Sequence, residues 1–120
     1  MSTDVSSLAG EDFCYLTTTG RATGKPHEIE IWFALESSTL YLLSGGRDRS
    51  DWVKNLRKTP KVAVRIAGQR FQGRARVVEG AQEDALARRL LVEKYGPRYS
   101  GDLSDWGKNA LPVAIDLVTD

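Results

Sequence analysis

The sequence predicts a mainly β fold, a small β-barrel or two-sheet fold with peripheral helices. Three observations carry that reading: six short segments rich in β-branched and aromatic residues, turn signals between them, and one long stretch with helical spacing. With 120 residues the chain suits a single domain, 1–120, with one core. Residues 1–11 read as a flexible N-terminus ahead of the first strand.

Phe13 to Thr19 mixes aromatic, β-branched and apolar residues and stops at Gly20, the pattern of a strand. A turn rich in Gly and Pro, 20–26, leads to His27–Leu35, where alternation is clearest. Ile29, Ile31, Phe33 and Leu35 share one face; Glu28, Glu30, Trp32 and Ala34 share the other. Glu36-Ser37-Ser38 then turns into Thr39–Ser44, close enough for these two strands to form a hairpin. Ser50 is placed to cap a short helix, Asp51–Arg57, which ends before Pro60, with Trp52 and Leu56 on its buried face. Lys61–Ile66 and Arg70–Val78 flank the turn Ala67-Gly68-Gln69, and basic side chains recur at alternate positions, so this pair reads as half exposed. Glu83–Tyr95 is dense in helix formers, stripes Leu86, Leu90 and Leu91, and ends at Gly96-Pro97. A loop, Tyr99–Trp106, precedes the last strand, Leu111–Val118.

Seventeen basic against sixteen acidic residues leave a net charge of +1, so no broad field is available to gather nucleic acid or an anionic membrane. Any anion site must be local. Cys14 is the only cysteine, which rules out an internal disulfide, and no Cys/His cluster has metal-ligand spacing. The N-terminus lacks the basic start and apolar run of a signal peptide, and no stretch approaches the roughly 20 apolar residues of a membrane anchor. These features point to a cytoplasmic protein.

The loop Ser44-Gly45-Gly46-Arg47-Asp48-Arg49-Ser50 holds the strongest chemical signal. Two glycines let backbone N–H groups approach a ligand, and two arginines and a helix start follow, which are the parts of a phosphate cradle. A Gly-Gly turn before a solvated helix start is the commoner source of such a pattern. The turn 20–26 adds Arg21 and Lys25. His27 stands without a cysteine or second histidine nearby, leaving ligand contact or a plain strand end. Cys14 alternates with Leu16 and reads as a core thiol. Trp32 points to the polar face beside Glu28 and Glu30, where a flat ring system or a partner subunit would cover it. No Ser/His/Asp set, catalytic carboxylate pair or Walker loop can be assembled, so no residue is assigned a catalytic role and a cofactor must bring any chemistry.

Thr17-Thr18-Thr19-Gly20-Arg21-x-Thr23-Gly24-Lys25-Pro26, then Ser44-Gly45-Gly46, Asp51-Trp52-x-x-Asn55-Leu56 and Pro60-Lys61-Val62 resemble the deazaflavin-dependent nitroreductase family. Trp106 followed by Leu111-Pro112-Val113 extends the likeness from about residue 13 to residue 118. The resemblance implies an FMN-binding-like split β-barrel and coenzyme F420, a deazaflavin with a phosphate and a polyglutamate tail, or FMN in related barrels. By position it implies cofactor contacts at Ser44, Gly45, Gly46, Arg47, Arg49 and Ser50, at Trp52 and Asn55, at Arg21 and Lys25, and along His27 to Trp32. Tyr95 and Tyr99 would hold the substrate. Ala22 departs from the pattern, standing where many relatives carry a second basic residue. The implied activity is hydride transfer from the reduced deazaflavin to a quinone, enone or nitro compound. The alternatives are an FMN-dependent reductase and a non-catalytic flavin or tetrapyrrole binder. A small-molecule redox substrate is the expected partner, with pairing into a homodimer through Trp32 or the strands near Arg65 and Arg74.

Overall fold

The two side-chain faces read from His27 to Leu35 imply one continuous strand, yet it breaks at Trp32 and Phe33. The computed structural model describes residues 5–118. In it β1 (Cys14–Thr19) is followed by β2 (Pro26–Ile31), β3 (Ala34–Glu36) and β4 (Thr39–Ser44). Next come α1 (Asp51–Lys58), β5 (Lys61–Ile66), β6 (Gln69–Val77), α2 (Ala81–Tyr95), α3 (Ser104–Asn109) and β7 (Leu111–Val118). The seven strands form one antiparallel sheet in the order β2-β1-β5-β6-β7-β4-β3.

That order has β2 and β3 at opposite edges although only Trp32 and Phe33 join them. So short a link spans about 10 Å. The sheet therefore curls until its edges meet, which makes it a barrel split along one seam. The expected hairpin is corrected accordingly: β2 pairs with β1, from Cys14↔Ile31 to Thr19↔Pro26, while only the short β3 pairs with β4. Long-range closure overrides local alternation. At the opposite hairpin, Ala67 and Gly68 take φ of 50° and 81°, joining β5 to β6 at the Ile66↔Gln69 pair with the positive φ values that suit a right-twisted ribbon.

The predicted faces hold. Phe33 lies in a core inside the curl with Leu16, Leu40, Val64, Phe71, Val113 and Ile115, and Ile29, Ile31 and Leu35 pack against it. On the other face Ala34, Tyr41, Leu43 and Ala114 form a second cluster with Ala87, Leu91 and Tyr95 of α2, flanked by Trp32 and Trp106. Two elements differ from the sequence reading. Residues 5–8 make a 3-10 turn and Leu8 is buried in the first core, so the flexible stretch does not extend through residue 11; residues 1–4 lie outside the described residues. The stretch expected as a loop contains α3, whose start is an Asx turn: Asp102 Oδ1 accepts from Ser104 N at 2.9 Å and Ser104 Oγ at 2.6 Å. Among the described residues no helix is long and apolar enough to cross a membrane.

Candidate functional site

The basic turn after β1 is clamped to α1 through a buried amide. Asn55, only 4 % exposed, accepts from Arg21 N at 3.2 Å and Arg21 Nη1 at 2.9 Å, and its Nδ2 donates to Thr18 Oγ1 at 3.2 Å. Arg21 Nη2 also reaches Asp51 at 3.1 Å, and Lys58 Nζ donates to the Arg21 carbonyl at 2.6 Å. The helix and turn thus hold each other. His27 lies over Gly20, where a Cβ would sit 2.7 Å from Nε2, so only glycine leaves room for the ring. Thr18, Arg21, His27, Ile29, Trp52 and Asn55 line a cavity of about 510 Å³. Lys25 lies in the same turn, exposed and outside that lining. In α1, Val53 and Leu56 take the core and Trp52 is half-buried at the cavity wall.

The Gly/Arg loop is held from beneath. Ser44 is buried; its Oγ donates to the Arg47 carbonyl at 2.9 Å and so accepts the proton of Ser50 Oγ at 2.8 Å. Ser50 does precede α1, but its hydroxyl is turned to Ser44 and makes no capping bond to the helix, which corrects the expected side-chain cap. Gly46 fits closely here, since a Cβ would fall 2.5 Å from Ser50 Oγ. Arg47 has φ of 55° and donates through Nη1 to the Asn109 carbonyl, tying the loop to the end of α3. Gly45 and Arg49 are exposed, and among the described residues neither Arg49 nor Lys25 has an ion-pair partner.

A second cavity, of about 480 Å³, is aromatic. Trp32 stacks on Tyr95 at 4.3 Å with the rings 2° from parallel, and meets Tyr99 and Trp106 edge-on at 5.7 and 5.6 Å. The cover expected from a ligand or partner subunit comes in part from the chain's own helices. Phe13, Glu30, Ile31, Trp32, Leu43, Tyr99, Asp102, Leu103 and Trp106 line the space. Tyr99 is 47 % exposed and available to a substrate. Tyr95 is not, and its substrate role is corrected. The residue is 2 % exposed, its Oη accepts from Phe33 N at 3.0 Å and faces the carbonyls of Asp12 and Phe33 at 2.7 and 3.1 Å. Burial pushes its hydroxyl up to about 12, so it serves as a pillar under Trp32.

The two cavities follow one another along β2: His27, Glu28 and Ile29 line one, and Glu30, Ile31 and Trp32 line the other. The Gly/Arg loop joins Leu43, in the wall of the aromatic cavity, to Asp51 and Trp52, in the wall of the polar one. The polar wall is mixed in charge, with Arg21 and His27 beside Glu28 and Asp51, and the aromatic wall suits a flat ring.

Sequence reasoning missed most of the aromatic cavity. Trp106 was noticed only as part of a C-terminal pattern, because Ser104–Asn109 has poor helix formers; the spacing of Asp102 and Ser104 was the available signal for a helix start. Phe13, Leu43 and Leu103 carry no local signal, since they meet only when the sheet curls.

The split barrel places the chain in a structural class whose solved members include proteins named for FAD binding and for F420-H2 dependent reduction. An FAD-binding protein from Mesorhizobium loti superposes with a TM-score of 0.69 at 17 % identity, over 95 % of this chain and 86 % of its own. An F420-H2 dependent reductase, FDR-A, gives 0.69 at 21 %, over 89 % and 94 %. A structure described as a domain-swapped dimer gives 0.69 at 24 %, over 89 % and 80 %. Within that class the chain belongs to the F420H(2)-dependent quinone reductase family, whose model matches residues 2–117. The protein is an F420-dependent oxidoreductase.

The residues present fit that coenzyme. The Gly45-Gly46 backbone is open to an oxyanion, Arg49 and Lys25 have charge to spare, and the Trp32, Tyr99 and Trp106 wall offers flat apolar surface for a ring.

Proposed function

We propose that this protein reduces a quinone with the reduced form of coenzyme F420, binding both beside β2. The single observation that supports this reading most is the aromatic cavity walled by Trp32, Tyr99 and Trp106, from whose Leu43 the chain runs on into the exposed Gly45-Gly46 backbone and Arg49, which has no ion-pair partner among the described residues. When bound, the coenzyme supplies a two-electron hydride donor, and its ring electronics do the difficult chemistry.

The chain's own contribution is placement. Arg47 and Arg49 with the Gly45-Gly46 backbone hold the anionic tail by charge-assisted hydrogen bonds. Trp52 and His27 line the polar cavity, and Asn55 ties its two sides together by binding Arg21 and Thr18. Trp32, kept rigid by Tyr95, gives the rings a flat wall, while Leu43, Leu103 and Trp106 exclude water from the space in which the two reactants meet. The Tyr99 hydroxyl lies at the rim, where it can donate to a quinone oxygen as charge develops.

Side-by-side fluorescence titration with coenzyme F420 and with FMN tests the cofactor, and oxidation of the reduced coenzyme with a naphthoquinone tests the reaction. Micromolar binding of F420 with quinone-dependent oxidation is expected. Binding of FMN alone, or binding without turnover of any quinone, enone or nitro compound, refutes the proposal. The reading includes a cytoplasmic enzyme, in keeping with its lone, fully buried thiol at Cys14. Pairing of two copies through Trp32 or the strands near Arg65 and Arg74 is checked by sizing in solution.

A further inference from the structure

The aromatic cavity carries charge of one sign. Two carboxylates, Glu30 from the end of β2 and Asp102 from the turn into α3, line that cavity, and no lysine, arginine or histidine does. Neither acid is neutralised. Glu30 accepts from the Tyr15 hydroxyl at 3.1 Å and Asp102 from Ser104, and among the described residues neither forms a salt bridge. The nearby cations are engaged elsewhere: Arg65 lies 3.4 Å from Glu28 and over the Tyr15 ring, and Arg98 lies 2.7 Å from Asp12.

Apolar walls between two free carboxylates make a poor seat for an anion and a good one for a neutral or cationic flat molecule. We infer that Glu30 and Asp102 are specificity residues: they make the acceptor's cavity reject anionic quinones and admit neutral or cationic ones, and they keep the coenzyme's anionic tail out of it. The inference deepens the quinone-reductase reading and rests on the aromatic cavity being the acceptor's seat.

The charge preference is measurable without the coenzyme. Quenching of tryptophan fluorescence by a neutral naphthoquinone and by its sulfonated analogue gives two affinities, since Trp32 and Trp106 line the cavity. At low salt the neutral compound is expected to bind about tenfold more tightly, from two exposed carboxylates at near-contact range. The ratio should shrink toward one in molar salt, and in Glu30→Gln/Asp102→Asn at low salt. A melting curve of the double variant confirms that it is folded. Equal affinities in the wild-type protein, or a ratio the double variant does not change, overturns the inference. A charge-dependent ratio that collapses as expected, in a protein that never oxidises the reduced coenzyme, upholds the inference and rejects the quinone-reductase reading instead.

Discussion

Replacing Tyr95 with phenylalanine separates the two roles this residue has been given, since it removes one oxygen and keeps the ring stacked under Trp32. The Phe33 N–H loses its acceptor at 3.0 Å and the Asp12 carbonyl its donor at 2.7 Å. The Phe33 carbonyl keeps Lys94 Nζ at 2.9 Å, so the main loss is one buried, unsatisfied backbone donor. Such a group costs about 1–3 kcal/mol. At about 2 kcal/mol, and with an unfolding entropy of about 0.25 kcal/mol/K for a domain of this length, Tm falls by about 8 °C. Thermal melts and urea titrations read the stability, and the rate of coenzyme oxidation with a naphthoquinone, measured well below the melting range, reads function. A pillar predicts lower Tm with kcat/KM within about twofold of wild type. An unchanged Tm together with a tenfold or greater loss of kcat/KM would refute the structural role and restore Tyr95 as a substrate donor.

Arg49→Ala removes an exposed guanidinium with no ion-pair partner among the described residues, so affinity for F420 should weaken about tenfold at unchanged stability; an unaltered dissociation constant by fluorescence titration rejects its place on the tail. Gly73→Ala sets a Cβ 2.6 Å from Ile115 Cγ2 and 3.2 Å from the Asp116 carbonyl in the middle of β6, and should cost about 1–3 kcal/mol in urea denaturation. Glu83 is held down to about 2, first by its hydrogen bonds from Arg76 and then by the Tyr41 hydroxyl. A carboxyl lowered by folding stabilises above about pH 4.5 and loses that contribution as pH falls toward 2. Because the Arg76 side chain is 42 % exposed, screening limits the effect to about 1 kcal/mol. Glu83→Gln should therefore be less stable than wild type at pH 7 and nearly equal to it near pH 2; a gap of the same size at both values refutes the pairing.

Most strands and both faces of the sheet are legible in the amino-acid sequence. Thr39–Ser44, Lys61–Ile66 and Leu111–Val118 agree with the structure residue for residue, because period-two patterning and flanking turns are local properties of the chain. The ordered run from the Gly20–Pro26 turn through Ser44-Gly45-Gly46 to Asn55 also marked the family, since the order and spacing of several short motifs together carry more than any one of them. What those residues touch depends on how the sheet closes. Alternation through Trp32 and Phe33 reads the same whether the strand continues or breaks, and the break appears only because β2 and β3 end at opposite edges of a curled sheet. Tyr95 and Tyr99 look alike in sequence, one α-helical turn apart; packing against Phe33 buries the first and leaves the second at the cavity rim. Ser50 is a cap by position, and the buried Ser44 takes its proton. Glu30 and Asp102 meet across one cavity from distant parts of the chain, and no local pattern encodes a distance that closure of the barrel sets.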